Sequence, residues 1–118
     1  MPKIDLEQLF AAIDSKDPDR FVSFLTDDAV FRYGSQPAVQ GRQAVREYVA
    51  GFFGTLTGLS HAVHDTWERN DALVMRGDVT YTKHDGGVIT VPFTNIFYLQ
   101  GDRVQQYLVY ADPSPLAG

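Results

Sequence analysis

A histidine, an asparagine and several tyrosines of this chain alternate with large apolar residues, and these are side chains that can move a proton or stabilise charge inside an apolar setting. In "VPFTNIFYL" every second residue gives Val91, Phe93, Asn95, Phe97 and Leu99, so one amide shares a strand face with large apolar neighbours. Leaving a buried amide unpaired costs on the order of 1–3 kcal/mol, so Asn95 needs a partner: a neighbouring Tyr or His, a water, or a ligand. An amide cannot exchange protons as a tuned carboxylate does; its chemistry is to orient or polarise a carbonyl or hydroxyl. Proton transfer falls to His61, in the register Leu59, His61, Val63, Asp65, Trp67, because imidazole is the side chain that titrates near neutral pH. The alternative for His61 is a packed histidine bonded to a neighbour. Asp65 lies about 13 Å further along an extended strand, too far to orient His61 directly, and is expected at the solvated end of the strand. Tyr33 and Tyr81 add hydroxyls to the same inward set, Tyr107 does so in one of the two registers open to the last strand, and Tyr48, Phe52, Trp67, Phe93 and Phe97 add aromatic wall. An apolar cavity with a few convergent polar groups is what a small-molecule site requires.

Other chemistries fail on spacing. "HAVHD" puts His61, His64 and Asp65 at the i, i+3, i+4 interval of a helical metal site, but on a strand the two histidines face opposite sides, so no metal is expected. Arg32, Arg42 and Arg46 do not cluster with glycines in a phosphate cradle, and Ser23, Ser35 and Ser60 lack a G-x-S-x-G elbow. Asp27-Asp28 reads as a polar turn, and His84, beside "DGG", as a solvated hairpin residue. With no cysteine in the chain, disulfides, a thiol nucleophile and thiolate metal ligands are excluded.

The elements that must carry these residues begin as helices. Leu6, Leu9, Phe10 and Ile13 recur at i, i+3, i+4, i+7 and predict a first helix. Asp17-Pro18 reads as a cap followed by a proline in the first turn, opening a short second helix with Phe21, Phe24 and Leu25. "DDAVFRYG" alternates and predicts a strand with Phe31 and Tyr33 on one side, and "SQPAVQG" reads as loop. Val45, Tyr48, Val49 and Phe52 predict a third helix from about Arg42 to Phe53. From Leu59 onward the period is two: segments 59–69, 72–84, 88–100 and 103–111 are separated by "RND", "HDGG" and "QGD" and predict four antiparallel strands in a meander. The last strand can face either way: one register holds Gln105, Tyr107, Val109 and Ala111, the other Val104, Gln106, Leu108, Tyr110 and Asp112. The order α-α-β-α-β-β-β-β predicts an α+β class, with helices packed on the hollow side of a strongly curved, mostly antiparallel sheet.

At 118 residues, 44% hydrophobic and 13% aromatic, the chain reads as one domain spanning 1–118. Its formal net charge of −5 argues against nucleic acid or an anionic membrane as main partner. No stretch has the length of a membrane span, and "MPKIDLEQLF" lacks the basic-then-apolar order of a signal peptide, so a cytoplasmic location is expected.

The pieces "DPDRFVSFLTDDAVFRYG", "VQGRQAVREYVAGFF", "WERNDALVMRGDVTY", "VPFTNIFYLQGDRV" and "YLVYADPSPL", in this order, resemble the nuclear transport factor 2-like superfamily and within it the SnoaL-like branch, with ketosteroid isomerase-like and polyketide cyclase-like members. The resemblance covers nearly the whole chain. It implies a cone-shaped half-barrel with a pocket between helices and sheet, often as a homodimer, but no single activity. It also favours the Tyr107 and Val109 register as pocket-facing. The Asn95 position matches one where several enzymes of the superfamily carry a catalytic Asp, so this chain departs from them at that point. Three readings follow. One is a cofactor-independent isomerase, cyclase or dehydratase on a small apolar carbonyl or hydroxyl compound, with His61 as base and Asn95 and a tyrosine as hydrogen-bond donors. The others are a non-catalytic binding module, and an interaction domain dimerising through its outer sheet face (Arg76, Asp78, Thr80, Thr82; Thr90, Thr94, Ile96, Tyr98).

Overall fold

The computed structural model describes residues 4–112 and 114–117. Asp5 caps helix α1 (Leu6–Asp14) by accepting from the Gln8 backbone N–H, and the stripe Leu9, Phe10, Ala12, Ile13 is buried. Asp17 caps α2 (Pro18–Val22), with the proline in the first turn. The chain then turns extended earlier than its periodicity predicts: β1 runs Leu25–Tyr33, because Leu25 pairs with Val104 of the last strand. A second departure follows in the segment read as loop, where Val39–Gln40 form a two-residue strand, β2, antiparallel to β1. Helix α3 (Arg42–Gly54) buries Val45, Val49 and Phe53. Four long strands complete the chain: β3 (Leu56–Arg69), β4 (Ala72–Lys83), β5 (Val88–Gln100) and β6 (Arg103–Ala111), with a short 3₁₀ turn at Ser114–Ala117.

The strands form one six-stranded, unclosed, curved sheet in the order β2-β1-β6-β5-β4-β3. All neighbours are antiparallel except β1 and β6, which run parallel. The α+β class and the meander are as expected; the element order gains one strand. The core fills the space between the helices and the inner sheet face, where Leu9, Phe21, Leu25, Leu73, Met75 and Phe97 are fully buried. No helix among the described residues is long and apolar enough to cross a membrane.

One irregularity sets what faces inward. In β3 the pairing shifts between Val63, opposite Gly77, and Asp65, opposite Arg76, so an extra residue is inserted at His64. A one-residue slip reverses every later side chain. His64 and Asp65 both turn outward, where they meet Asp78 and Arg76 at 3.0 and 2.8 Å. Trp67, opposite the outward Val74, follows them and is 54% exposed. Gly77 makes the close approach possible: a Cβ there would lie 1.8 Å from the Ala62 carbonyl oxygen and 2.9 Å from the Val63 Cα.

Candidate functional site

The inner sheet face is built in cross-strand rows. Tyr33, Val109, Asn95 and Met75 pair in sequence across β1, β6, β5 and β4, and Phe31, Tyr107, Phe97 and Leu73 form the row beside it. Helices α1, α2 and α3 cover these rows and leave a cavity of about 60 Å³, enough for on the order of four waters. His61, Asn95, Tyr33, Tyr81, Phe52, Phe93 and Tyr107 line it, with Val109 confirming the inward register taken for β6. Three expected wall residues lie elsewhere. Trp67 sits on the outer face because of the β3 irregularity. Phe97 is fully buried beneath the cavity, its ring 4.3 Å from that of Tyr107. Tyr48 is 39% exposed and covers Phe31 from the solvent side of α3.

His61 does not stand alone. Its Nδ1 lies 2.7 Å from Asp14 Oδ1, and its backbone N–H donates to Asp14 Oδ2 at 3.0 Å. A carboxylate only accepts, so Nδ1 carries the proton and Nε2 is the basic nitrogen. Phe10 and Phe93 flank the ring at 4.9 and 5.2 Å, leaving its side chain only 12% exposed, with that of Asp14 at 28%. Asp14 closes α1, where a carboxylate opposes the helix dipole; the two hydrogen bonds from β3 compensate. Lys16 adds a second tie, donating to the Leu56 carbonyl at 2.8 Å, so the end of α1 is pinned to β3 on both sides of the site.

A second polar group lies on the same sheet face, Tyr81 being diagonal to His61 across β3 and β4. Tyr33 of β1 and Tyr81 of β4 share a hydrogen bond of 2.6 Å between their hydroxyls, against the Phe52 ring. When one hydroxyl donates to the other, the acceptor keeps its own O–H available. Burial pushes both phenols above their usual range, so they stay protonated and serve as donors. Burial does the same to Tyr107, reinforced by the negative charge of Asp14.

Asn95 is 2% exposed, and its Oδ1 has no hydrogen-bond donor among the described residues. The cause is local: its cross-strand neighbours, Met75 and Val109, have no strong donor side chain to offer. The structural alternative, a core amide satisfied by a neighbouring Tyr or His, does not describe this oxygen. Among the described residues, no Lys or Arg lines the cavity.

Sequence reasoning missed Asp14. Its signal was an acidic residue at the C-terminal end of an amphipathic helix, the end where a carboxylate is least at home and so most in need of donors.

A family model described as a SnoaL-like domain matches residues 6–107. Among solved structures, the chain resembles an NTF2-like protein of unknown function from Burkholderia pseudomallei, with TM-score 0.84, 14% identity and coverage of 94% of this chain and 90% of that one. It also resembles a putative SnoaL-like polyketide cyclase from Jannaschia sp. (TM-score 0.82, 19% identity, 95% and 85% coverage). A third is an LEH-like epoxide hydrolase from M. tuberculosis (TM-score 0.79, 16% identity, 92% and 80% coverage). These likenesses establish the shared fold. No curated protein matches the sequence.

Proposed function

Because the chain belongs to the family of SnoaL-like domains, whose wider fold group includes cyclases and isomerases, we propose that its cavity binds a small, apolar carbonyl or hydroxyl compound and transfers a proton on it without a cofactor. The observation that carries this reading is the Asp14–His61 pair on the wall of an otherwise apolar cavity. His61 Nε2 takes a proton from the carbon beside a carbonyl, and Asp14 stabilises the imidazolium that forms. The negative charge moves to the carbonyl oxygen, where the Tyr33–Tyr81 pair donates to it. Asn95 orients a substrate oxygen; as an amide it takes no proton. Isomerisation, cyclisation and dehydration share this first step, and the cytoplasm is the setting in which we place it.

The test is exchange of α-protons of small ketones in D₂O, followed by NMR. Wild type is expected to accelerate exchange, and His61→Ala to lower the rate by about 10²- to 10⁴-fold while the ketone still binds. Equal rates in the two proteins would sink the proposal. Binding without exchange in either protein supports the second reading, a ligand-binding module, which the amide at position 95 favours.

We also propose that the outer sheet face pairs with a second copy of the chain. Trp67, Val74, Ile96 and Leu108 stand opposite one another across four strands and form an apolar row on that face. Tyr98 and Tyr110 flank it at 44% and 42% exposure. Such a stripe, rimmed by polar residues, suits a self-complementary interface. Light scattering is expected to give twice the chain mass for wild type and the single mass for Trp67→Asp combined with Ile96→Asp. A monomeric wild type, or a doubly substituted dimer, removes this part of the proposal.

A further inference from the structure

We infer that Phe52 is the door and the size filter of the cavity, the lining side chain that turns aside for a ligand to reach the Tyr33 and Tyr81 hydroxyls. This rests on the proposed use of those hydroxyls as donors to a carbonyl, and names the residue that decides which carbonyl compounds arrive. Among the described residues, Tyr33, Phe52, His61 and Val109 line the cavity and also reach the surface, while the rest of its lining is buried. Three of the four are held. Tyr33 shares a hydroxyl bond with Tyr81, His61 is bonded to Asp14, and Val109 is a short branched side chain paired between Tyr33 and Asn95 in the sheet. Phe52 has no polar atom and sits two residues before Gly54, where α3 ends. A partly exposed ring of this kind changes rotamer without breaking a hydrogen bond.

The helical period puts the ring there. Val45, Val49 and Phe53 form the buried stripe of α3, and Phe52, three residues after Val49, lies on the flank of that stripe. Its ring centroid stands 5.7 Å from that of Tyr33 and 6.0 Å from that of Tyr81, so it packs on both members of the phenol pair. Size follows from the volume. The cavity holds about 60 Å³, whereas a benzene-sized ligand occupies an apolar cavity of about 150 Å³. With Phe52 in place the hydroxyls are open to a short acyclic ketone and closed to a six-membered ring. Truncating Phe52 leaves a hole the shape of the ring removed, continuous with the cavity and beside the same hydroxyls. A cyclic ketone fills that hole with its own ring and brings its oxygen to the phenols. Phe52 is partly exposed, so its truncation removes less packing than that of Phe31 or Phe53, both buried in the core.

The experiment is an NMR titration of the full chain with butanone and with cyclohexanone, repeated on Phe52→Ala. Wild type is expected to bind butanone about tenfold more tightly than cyclohexanone, the scale on which a filled pocket discriminates by size. In Phe52→Ala cyclohexanone binding is expected to tighten by about tenfold or more, reversing the order, while butanone changes by less than about threefold. Should the alanine variant not fold, Phe52→Leu makes the same comparison with a shift of about threefold, because it vacates less space. Wild type binding the two ketones equally overturns the inference without recourse to any variant. So does an order that persists in the variant, which is the result expected if Phe52 only packs the core: the melting temperature falls and the preference stays. Failure of both ketones to bind either protein overturns the inference together with the reading it rests on. Since only binding is read, a size reversal with no His61-dependent exchange defeats the catalytic proposal alone. Intact exchange with no size reversal defeats only this one.

Discussion

Replacing Asp14 by Asn lowers the proton-transfer rate by about 10²- to 10⁴-fold and leaves the protein folded. The reason is tautomeric. Asp14 accepts two hydrogen bonds, from the His61 backbone N–H at 3.0 Å and from Nδ1 at 2.7 Å. An asparagine has one oxygen, which continues to accept from the backbone, and one NH₂, which then faces the ring. Confronted by a donor, Nδ1 must become an acceptor, and the ring proton moves to Nε2. The nitrogen proposed to act as base is then occupied. Rate is measured as α-proton exchange, and the tautomer is read from the imidazole ¹⁵N shifts of the same sample. A structural role alone would lower the melting temperature without exchanging the two nitrogen signals. An Asp14→Asn protein within twofold of the wild-type rate would remove Asp14 from the mechanism.

The second large effect is on stability. Gly77→Ala is expected to cost about 3–5 kcal/mol, a large part of the 5–15 kcal/mol that holds a typical domain together. Its Cβ would stand 1.8 Å from the Ala62 carbonyl oxygen and 2.8 Å from the carbonyl carbon. Both are backbone atoms of β3, so no side-chain rotation relieves the clash and the two strands must separate. His61 is the residue just before Ala62, so strand separation also shifts the imidazole relative to Asp14. Chemical denaturation gives the stability difference from the shift in midpoint at unchanged slope. A midpoint shift worth less than about 0.5 kcal/mol would mean that β3 approaches β4 less closely than described.

Much of the fold was legible because alternation and the 3.6-residue period are local. Helix α3, expected from Arg42 to Phe53, runs Arg42–Gly54, and segments 88–100 and 103–111 match β5 and β6 at both ends. Parity also placed Tyr33, Tyr81, Phe93 and Asn95 on the inner face correctly, whereas for Tyr107 it left both faces open and the family resemblance chose the inner one. It failed beyond His64, since a strand read by counting assumes that no residue is inserted. Trp67 was therefore assigned to the wall that its side chain leaves. Leu25 was assigned to a helix by its apolar spacing with Phe21 and Phe24, but pairing with Val104 overrode that local preference. Val39–Gln40 were too few to show any period, and only the presence of β1 beside them makes a strand. Tyr48 and Phe97 are apolar at the right spacing, yet periodicity distinguishes inward from outward only, not cavity wall from solid core.

By itself, then, the order of residues determined the α+β class, the strand meander and the buried position of Asn95, because each follows from side-chain periodicity within one element. Tertiary structure decided the rest. Whether Asn95 Oδ1 has a donor depends on which strands flank β5, and whether Trp67 faces in or out depends on a close approach of two strands at Gly77. The Asp14–His61 pair joins residues 47 apart in the chain, and it exists because the apolar stripe of α1 packs against β3 and carries a helix-terminal carboxylate with it. That packing is a property of the assembled core, and no period in either segment announces it.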